Sequence, residues 1–310
     1  MNDQHPRCRF GLHAGLWTFD WTREAAERVL PEAADYAIEV LEIPIGEVER
    51  IDAPHTRALC ERHGIEPTAS LCLPEGAAAA LHPDRASAVL LRALETAHAL
   101  GSRILTGVTY TTLNWRSGAL PTEMEYANIV RALKPVARKA REWDMLVGLE
   151  PCNRYETHLL NTGAQAAALI DRLDEPNVFI HLDSYHMHVE EHGLGAGVRA
   201  AGERFQYVHL SESDRGLPGS GNLDWGDLFR SMAEAGFSGY LIGEIFAPST
   251  PTIAAALNIW QGGVPSRLDV LEKGVPFLKA LARQHGLIPS PAPFHHRVDD
   301  RRARDRTELS

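Results

Sequence analysis

The sequence contains few cysteines, and none of its four, Cys8, Cys60, Cys72 and Cys152, forms a CxxC pair with another. This scarcity argues against a disulfide framework and favours reduced thiols in a cytoplasmic protein. No apolar run reaches the roughly 18 residues that a membrane-spanning helix needs. Residues 1–15 lack the long apolar segment that is typical of a secretory signal. We therefore expect a cytoplasmic protein without a membrane anchor.

The chain also lacks an excess of positive charge, since its formal net charge is −10. Nucleic-acid and membrane-surface binding favour basic patches, so the charge gives no support to either class of partner. An acidic balance is expected if several carboxylates gather around a cation. Apolar residues make up 44% of the 310 residues, which is enough for a sizeable core. This length suits one large domain or two ordinary ones.

No glycine-rich phosphate-binding fingerprint follows the first strand-like run, which disfavours a doubly wound open sheet. Instead, apolar strand-like runs alternate with segments of helical periodicity, and this alternation predicts a single-domain (β/α)₈ TIM barrel over residues 1–288. Residues 289–310 are Pro-rich and then charged, which predicts a solvated, disordered C-terminal extension. The predicted strands cover residues 9–15, 36–43, 66–71, 103–109, 145–150, 178–182, 205–210 and 240–245.

Four of the later strand-like runs contain or end in a polar side chain that suits a metal ion. These side chains are Glu150, Asp183, His209 and Glu244, and they are spaced 33, 26 and 35 residues apart. Each interval is about the length of one strand–helix unit, and parallel barrels build their active sites from such strand ends. Three carboxylates and one imidazole suit Mn²⁺, Co²⁺ or Mg²⁺ better than a soft metal. The spacing therefore predicts a divalent metal centre.

Further polar and aromatic residues follow the same strands and are candidates for contacts with a small substrate. His186 lies three residues after Asp183, Arg215 lies in the loop after the seventh strand, and Glu156 follows Glu150 by six residues. Loops at this face of a barrel commonly carry function. We expect an apolar wall for the substrate from three aromatic side chains: Trp17, Trp115 and Phe246.

A cation beside two glutamates indicates proton chemistry next to a carbonyl group. A metal that chelates a carbonyl and the adjacent hydroxyl acidifies the C–H bond between them. One carboxylate then takes the proton and the other returns one. Return to the opposite face of the same carbon gives an epimer, whereas return to the neighbouring carbon gives an aldose–ketose isomer. The residue types alone do not choose between these two reactions.

Four segments together resemble the ketose 3-epimerases, a group of xylose-isomerase-like barrels that includes D-tagatose 3-epimerase and D-psicose (D-allulose) 3-epimerase. Residues 149–156 are similar to the family pattern LE-x-x-NRFE, and residues 182–191 are similar to LDTFHMNIEE. Residues 209–219 are similar to H-x-x-E-x-x-R-x-x-PG, and residues 244–246 to EPF. The resemblance covers about residues 9–285.

The resemblance implies a metal-dependent isomerase that epimerises free ketoses at C3, such as D-fructose/D-psicose, D-tagatose/D-sorbose or L-ribulose/L-xylulose. It implies that the four predicted ligands hold Mn²⁺ or Co²⁺, and that Glu150 and Glu244 also act as the acid/base pair through a cis-enediolate. It further implies that Glu156, His186 and Arg215 contact the O1–O2 end of the ketose. Members of the family form homodimers or homotetramers.

The sequence departs from the family pattern at several positions outside the predicted ligand set. Residues 13–17 replace a Phe/Tyr-rich first loop, Ser184 replaces Thr, His188 replaces Asn and Ile245 replaces Pro. The alternative interpretations are a related sugar isomerase or sugar-phosphate epimerase, such as hydroxypyruvate isomerase, and a non-catalytic sugar-binding barrel. A DNA-repair endonuclease on the same fold is disfavoured by the acidic charge.

Overall fold

The fold is a closed barrel of eight parallel strands in sequential order, in which the first strand pairs with the eighth. The computed structural model describes residues 8–246, 255, 258–260 and 265–290. The strands are β1 Arg9–His13, β2 Val40–Pro44, β3 Glu66–Cys72, β4 Ile104–Val108, β5 Leu146–Leu149, β6 Val178–Asp183, β7 Phe205–Leu210 and β8 Tyr240–Gly243. The predicted (β/α)₈ barrel is confirmed.

Helices follow the strands and cover the outside of the barrel. They are α1 Arg23–Asp35, α2 Ala53–His63, α3 Pro83–Ala99, α4 Glu123–Glu142, α5 Gly163–Leu173, α6 Ser184–Glu190, α7 Leu194–Ala201, α8 Trp225–Glu234 and α9 Val275–Gln284. Among the described residues, none of these helices is long and apolar enough to cross a membrane.

Helix starts follow the capping chemistry of the sequence. Thr122 and Glu125 form a reciprocal capping box at the start of α4, and Thr162 with Gln165 does the same for α5. These side chains satisfy backbone N–H groups that have no partner within the helix. Asp224 caps α8 by accepting a hydrogen bond from the backbone N–H of Asp227.

A layer of large side chains fills the interior of the barrel nearer the amino ends of the strands. It consists of Val40, Ile104, Phe179, Tyr207 and Ile242, all nearly inaccessible to solvent. Side chains two residues further along the strands point to the same side because strand residues alternate between faces. The polar groups of the upper layer therefore rest on an apolar floor.

Some predicted boundaries were wrong. Tyr36 belongs to the C-terminal end of α1 and not to β2, because Ala37 takes a left-handed conformation with φ of 51° before the strand begins. β1 ends at His13, where Ala14–Leu16 turn into a short 3₁₀ helix. The segment before β7 forms two short helices, α6 and α7, on either side of Gly193.

The predicted extension, residues 289–310, lies almost wholly outside the described residues, which end at position 290. The division of the chain at residue 288 therefore stays a prediction. Helix α9 ends at Gln284, and Leu287 then packs into the core and accepts a hydrogen bond from the backbone N–H of Cys8. This contact ties the last described segment to the start of β1.

Candidate active site

The four predicted ligands converge at the carboxyl end of neighbouring strands. Glu150 directly follows β5, Asp183 is the last residue of β6, His209 lies near the end of β7, and Glu244 directly follows β8. All four are buried, with exposures between 1% and 8%. The barrel therefore brings together side chains that are separated by almost a hundred positions in the sequence.

His209 lies at the centre of this group. Its Nδ1 atom is 3.4 Å from Glu150 Oε1 and 3.2 Å from Glu244 Oε1. Its other ring nitrogen, Nε2, lies 2.7 Å from a carboxylate oxygen of Glu42. Single ligand atoms of Asp183, His209 and Glu244 lie within 4.8 Å of one another. This spacing suits donors that share one cation.

Unsatisfied polar atoms provide an independent test of whether a cation fits. Within the described part of the chain, His209 Nδ1 and Asp183 Oδ2 are buried and have no hydrogen-bond partner. Asp183 Oδ1, in contrast, accepts a hydrogen bond of 2.8 Å from the backbone N–H of Tyr185. Buried polar atoms without partners are rare in folded proteins. Two such atoms facing two glutamates fit a divalent ion with oxygen and imidazole ligands.

The two glutamates differ in their protonation. Burial raises the pKa of Glu150 to about 7, despite the nearby His209. Burial acts in the same direction on Glu244, but His209 and Arg215 outweigh it and hold the pKa of Glu244 well below its ordinary value. In the protein without an ion, Glu244 is therefore ionised at neutral pH, whereas Glu150 readily holds a proton.

Two other groups of side chains near Glu150 have metal-ligand spacing, one with His181 and His209 and one with Cys152 and His186. The His181 ring is engaged through Nδ1, which lies 3.0 Å from Thr106 Oγ1, while its Nε2 is buried without a hydrogen-bond partner among the described residues. The Cys152 thiol donates to the Glu150 carbonyl oxygen, and burial raises its pKa well above the ordinary value. The Cys152 thiol therefore stays protonated and suits packing better than metal ligation.

His186 presents a defined hydrogen-bond donor to the site. Its Nδ1 accepts hydrogen bonds from the backbone N–H and the side-chain amide of Asn153, at 3.2 and 2.9 Å. Burial, with Arg215 nearby, lowers the pKa of His186 well below its ordinary value, so the ring is neutral. The proton therefore lies on Nε2, which is 3.7 Å from Asp183 Oδ2 and 4.0 Å from an oxygen of Glu156.

Arg215 lies beside two carboxylates of the site, those of Glu244 and Glu156. Its Nη1 donates to Glu244 Oε2 over 3.2 Å, and its Nη2 lies 3.8 Å from Glu156 Oε1. The guanidinium lies 4.3 Å from the centre of the Tyr185 ring and 5.3 Å from that of Phe246. Stacking of this kind fixes the plane of an arginine side chain. The Arg215 guanidinium is thus held beside the carboxylates of Glu244 and Glu156.

The loop that carries Arg215 is organised by Glu212. One carboxylate oxygen of Glu212 accepts from the backbone N–H groups of Ser213 and Leu223, at 2.9 and 3.3 Å. The other accepts from Gly219 N–H and from the Trp225 indole, at 2.8 and 3.0 Å. Arg215 itself has a left-handed backbone with φ of 57°, an uncommon conformation for a non-glycine residue. The Glu212 contacts hold the chain in that turn.

Most of the predicted site residues line a cavity of about 750 Å³, a volume within the range of small-molecule sites, although Asp183 is not part of its lining. All four of Glu150, His186, Arg215 and Phe246 contribute to its lining. The cavity also includes residues that the sequence did not predict: His13, Phe19, Trp21, Glu42 and Cys72.

Two of the aromatic residues predicted to form the apolar wall do not line the cavity. The Trp17 indole donates instead to Glu32 over 3.0 Å. Trp115 packs edge-on against the His158 ring, with the ring centres 5.1 Å apart. Phe19 takes a position close to Phe246, at 5.1 Å between ring centres, and so supplies the wall that Trp17 was predicted to supply.

Glu42 was missed although the sequence contained a signal for it. It lies within the apolar run Val-Leu-Glu-Ile-Pro of β2, as His209 lies within the apolar run of β7. A carboxylate within a buried strand needs a partner to offset the cost of burial. A polar side chain inside an apolar strand therefore marks Glu42 in the same way as it marks His209.

Comparison with known proteins agrees with this fold. A family model described as a xylose isomerase-like TIM barrel matches residues 30–281. The chain is 33% identical over 280 residues to an L-ribulose 3-epimerase from Methylomonas sp. (strain DH-1), covering 88% of this chain and 97% of that protein. It is 30% identical to a ketose 3-epimerase from Arthrobacter globiformis over 259 residues, covering 82% and 89% of the two chains. The crystal structure of a Methylomonas sp. D-allulose 3-epimerase in complex with D-allulose superimposes with a TM-score of 0.83 and 31% identity, covering 89% and 97%.

Proposed function

This chain belongs to the xylose isomerase-like TIM barrel family, and from that premise we propose that it epimerises free ketoses at C3 with the help of a divalent metal ion. One observation carries the proposal: His209 Nδ1, which has no hydrogen-bond partner among the described residues, lies between Glu150 and Glu244 in a cavity of substrate size. The names of the relatives, which include L-ribulose and ketose 3-epimerases, point to the same reaction.

The proposed ion is Mn²⁺ or Co²⁺, with Mg²⁺ as a further candidate, held by Glu150, Asp183, His209 and Glu244. The mixture of carboxylate and imidazole donors supports this choice. When bound, the ion would stabilise the negative charge that develops on the substrate oxygens as C3 loses its proton.

Glu150 and Glu244 are proposed to move the proton. Their carboxylates approach His209 Nδ1 from two strands, β5 and β8, so the pair flanks a shared space. One carboxylate takes the proton from C3, giving a cis-enediolate, and the other returns a proton to the opposite face. Proton transfer of this kind works best when the pKa of the acid or base lies near neutral pH, as burial arranges for Glu150.

Glu156, His186 and Arg215 are proposed to hold the O1–O2 end of the ketose. His186 Nε2–H and the Arg215 guanidinium are donors, and the carboxylate of Glu156 is an acceptor beside them. These donors and this acceptor complement the hydroxyl and carbonyl groups at the O1–O2 end of a ketose. Hydrogen bonds to both groups would hold the substrate in one orientation.

Free ketoses fit the charges of the cavity better than sugar phosphates. Among the described residues, the arginines that line the cavity are Arg50 and Arg215, and both are engaged. Arg50 pairs with Asp20 at 2.7 Å, and Arg215 pairs with Glu244 at 3.2 Å. A phosphate site needs cationic side chains that are free to make charge-assisted contacts.

Deuterium exchange tests the proposal. The protein is incubated with Mn²⁺ and D-fructose, D-tagatose or L-ribulose in deuterated water, and the sugars are analysed by NMR. We expect deuterium at C3 together with the epimeric ketose, and loss of both after EDTA treatment or in Glu244→Gln. Absence of deuterium at C3 of every ketose would contradict the proposal, and deuterium at C1 would favour the aldose–ketose isomerase instead.

We further propose that the protein is a cytoplasmic homodimer or homotetramer. Exposed apolar side chains support an interface, namely Leu120 in the loop after β4, Met124 in the first turn of α4 and Tyr155 in the loop after β5, at 86%, 70% and 68% exposure. Four free cysteines support a reducing compartment. Light scattering coupled to size-exclusion chromatography tests the assembly, and the mass of a single chain would contradict it.

A further inference from the structure

Glu42 is a fully buried carboxylate that lies beside the proposed metal centre without belonging to its ligand set. Its exposure is 0%, and it lies in the middle of β2. Its Oε2 atom accepts two hydrogen bonds of 2.7 Å, one from the Tyr207 hydroxyl and one from His209 Nε2. A carboxylate is seldom fully buried without a specific role, because removing it from water is costly.

The contact with Glu42 fixes which nitrogen of His209 carries a proton in the neutral ring. A carboxylate only accepts hydrogen bonds, so His209 Nε2 must be the donor. The lone pair then lies on Nδ1, the atom that faces Glu150 and Glu244 and has no hydrogen-bond partner among the described residues. An imidazole in this state is ready to bind a metal ion through Nδ1.

We propose that Glu42 is a positioning residue that holds the His209 imidazole with Nδ1 directed at the metal ion, and so sets the affinity of the site for the ion. The inference rests on the proposed function, since it assumes that His209 is a metal ligand. Carboxylates that accept from the remote N–H of a metal-bound histidine orient the ring and make it a stronger donor.

Side chains from several strands surround the Glu42 carboxylate, although its Oε1 accepts no hydrogen bond from the described residues. Tyr207 lies on β7 two residues before His209, and its hydroxyl is also 2.9 Å from Thr68 Oγ1 on β3. From the opposite side, His13 Nε2 on β1 lies 3.7 Å from Glu42 Oε1. His13 is oriented by its Nδ1, which accepts a hydrogen bond of 2.8 Å from Gly15 N–H. Tyr207 and His13 both lie outside the proposed ligand set, and the Glu42–His209 hydrogen bond is a separate contact of the same carboxylate.

A purely structural role is the competing explanation, in which Glu42 only satisfies the Tyr207 hydroxyl in the barrel interior. The two explanations differ in which contact matters. If Glu42 acts through His209, removing the carboxylate must change metal binding, whereas removing the Tyr207 hydroxyl must change it little. Tyr207→Phe is therefore a matched control, because it deletes the other hydrogen bond to the same oxygen.

Mn²⁺ binding to metal-free protein, measured by isothermal titration calorimetry, tests the inference without any substrate. We expect Glu42→Gln, which keeps an acceptor but loses the charge, to bind Mn²⁺ about tenfold more weakly than the unmodified protein. Glu42→Leu, which removes the acceptor, should weaken binding by up to about 100-fold. Tyr207→Phe should stay within about threefold, because the Glu42–His209 contact remains. If Glu42→Leu does not fold, Glu42→Gln decides the test.

The visible absorption of bound Co²⁺ provides a second measurement that a structural role would not affect. His209→Ala gives the spectrum of the site without its imidazole. We expect the Co²⁺ spectrum of Glu42→Leu to shift toward that of His209→Ala, and the spectrum of Tyr207→Phe to match the unmodified protein.

The outcomes separate the inference from the function on which it rests. Equal Mn²⁺ affinity in the unmodified protein, Glu42→Gln and Glu42→Leu would overturn the inference and leave the proposed metal site intact. Failure of the unmodified protein to bind Mn²⁺ or Co²⁺ would overturn both. An equal loss of affinity in Tyr207→Phe and Glu42→Gln would also overturn the inference, because it would show that packing and not the His209 contact sets the affinity.

Discussion

Arg215 Nη1 lies 3.2 Å from Glu244 Oε2, so a loop arginine after β7 directly contacts the carboxylate that follows β8. The contact leaves Glu244 Oε1 free to face His209 Nδ1 at 3.2 Å. The two oxygens of Glu244 thus have different partners, one toward the proposed substrate end and one toward the proposed ion. Arg215 therefore links the proposed contacts with the ketose to the proposed proton-transferring pair.

Replacing Arg215 by lysine should lower kcat/KM by about 10- to 100-fold, since a hydrogen bond to a charged group contributes roughly 1.5–3 kcal/mol. Lysine keeps the charge but loses the planar group that stacks on Tyr185 while it donates to Glu244. Steady-state kinetics with the preferred ketose measures the effect. Arg154→Lys is the matched control, because Arg154 pairs with Glu190 outside the cavity lining. Equal losses in the two variants would contradict the assigned role.

Metal binding should release protons and tighten as the pH rises. Burial raises the pKa of Asp183, and Glu244 and Glu42 raise the pKa of His209 well above its ordinary value although burial opposes them. The metal-free protein therefore holds protons at neutral pH that a cation must displace. We expect the Mn²⁺ affinity to rise about tenfold per pH unit for each proton released. Calorimetry at pH 6 and pH 8 checks this, and an affinity that does not change with pH contradicts it.

Glu212 should make the stability of the protein depend on pH in the acidic range. Burial would raise its pKa, but the N–H groups of Ser213, Gly219 and Leu223 and the Trp225 indole outweigh burial and hold the pKa below 4.5. Because the folded-state pKa is depressed, this stabilisation is fully present above about pH 4.5 and is lost as the pH falls through the folded-state value.

The comparison of Glu212→Gln with the unmodified protein isolates this contribution. At pH 7 we expect Glu212→Gln to be less stable by about 1–3 kcal/mol, since its amide cannot accept from four donors. The difference in the free energy of unfolding, measured with urea, should shrink as the pH is lowered below 4.5. A difference that stays constant down to low pH would show that the charge of Glu212 is not responsible.

Gly148 in β5 should not tolerate even a methyl group. A Cβ atom there would overlap Thr106 Oγ1 and would lie 2.6 Å from Phe179 Cζ, so neighbouring side chains would have to move. We expect Gly148→Ala to lower the free energy of unfolding by about 1–3 kcal/mol. Gly46→Ala is the control, because a Cβ at Gly46 would have no atom within 4 Å. Urea denaturation of both variants gives the comparison, and equal stabilities would contradict the packing argument.

Much of the fold follows from local sequence signals. Thr122 with Glu125 specifies the start of α4, and Asp224 specifies the start of α8, because capping chemistry acts within a few residues. The first and last residues of the strands were less predictable than the starts of these helices. β2 begins four residues later than predicted, because the chain first makes a left-handed turn at Ala37, after which the Ile38 N–H donates to the Ala33 carbonyl oxygen of α1.

The aromatic contacts were the least predictable part of the site. Trp17 and Phe19 are two residues apart, and the short 3₁₀ helix at Ala14–Leu16 helps to determine which of them faces the cavity. Glu32 on α1 then accepts the hydrogen bond of the Trp17 indole. No pattern in the sequence specifies a side-chain direction that depends on a contact with another helix.

The sequence by itself determined that Glu150, Asp183, His209 and Glu244 stand near the carboxyl ends of four successive strands, because the alternation of strand-like and helical segments places each strand to within a few residues. Only the tertiary structure decided how these side chains are used. Closure of the barrel places Glu42 from β2 against His209 from β7, a contact between residues 167 positions apart. Such a hydrogen bond depends on distance and direction in space, and a linear pattern of residue types contains neither.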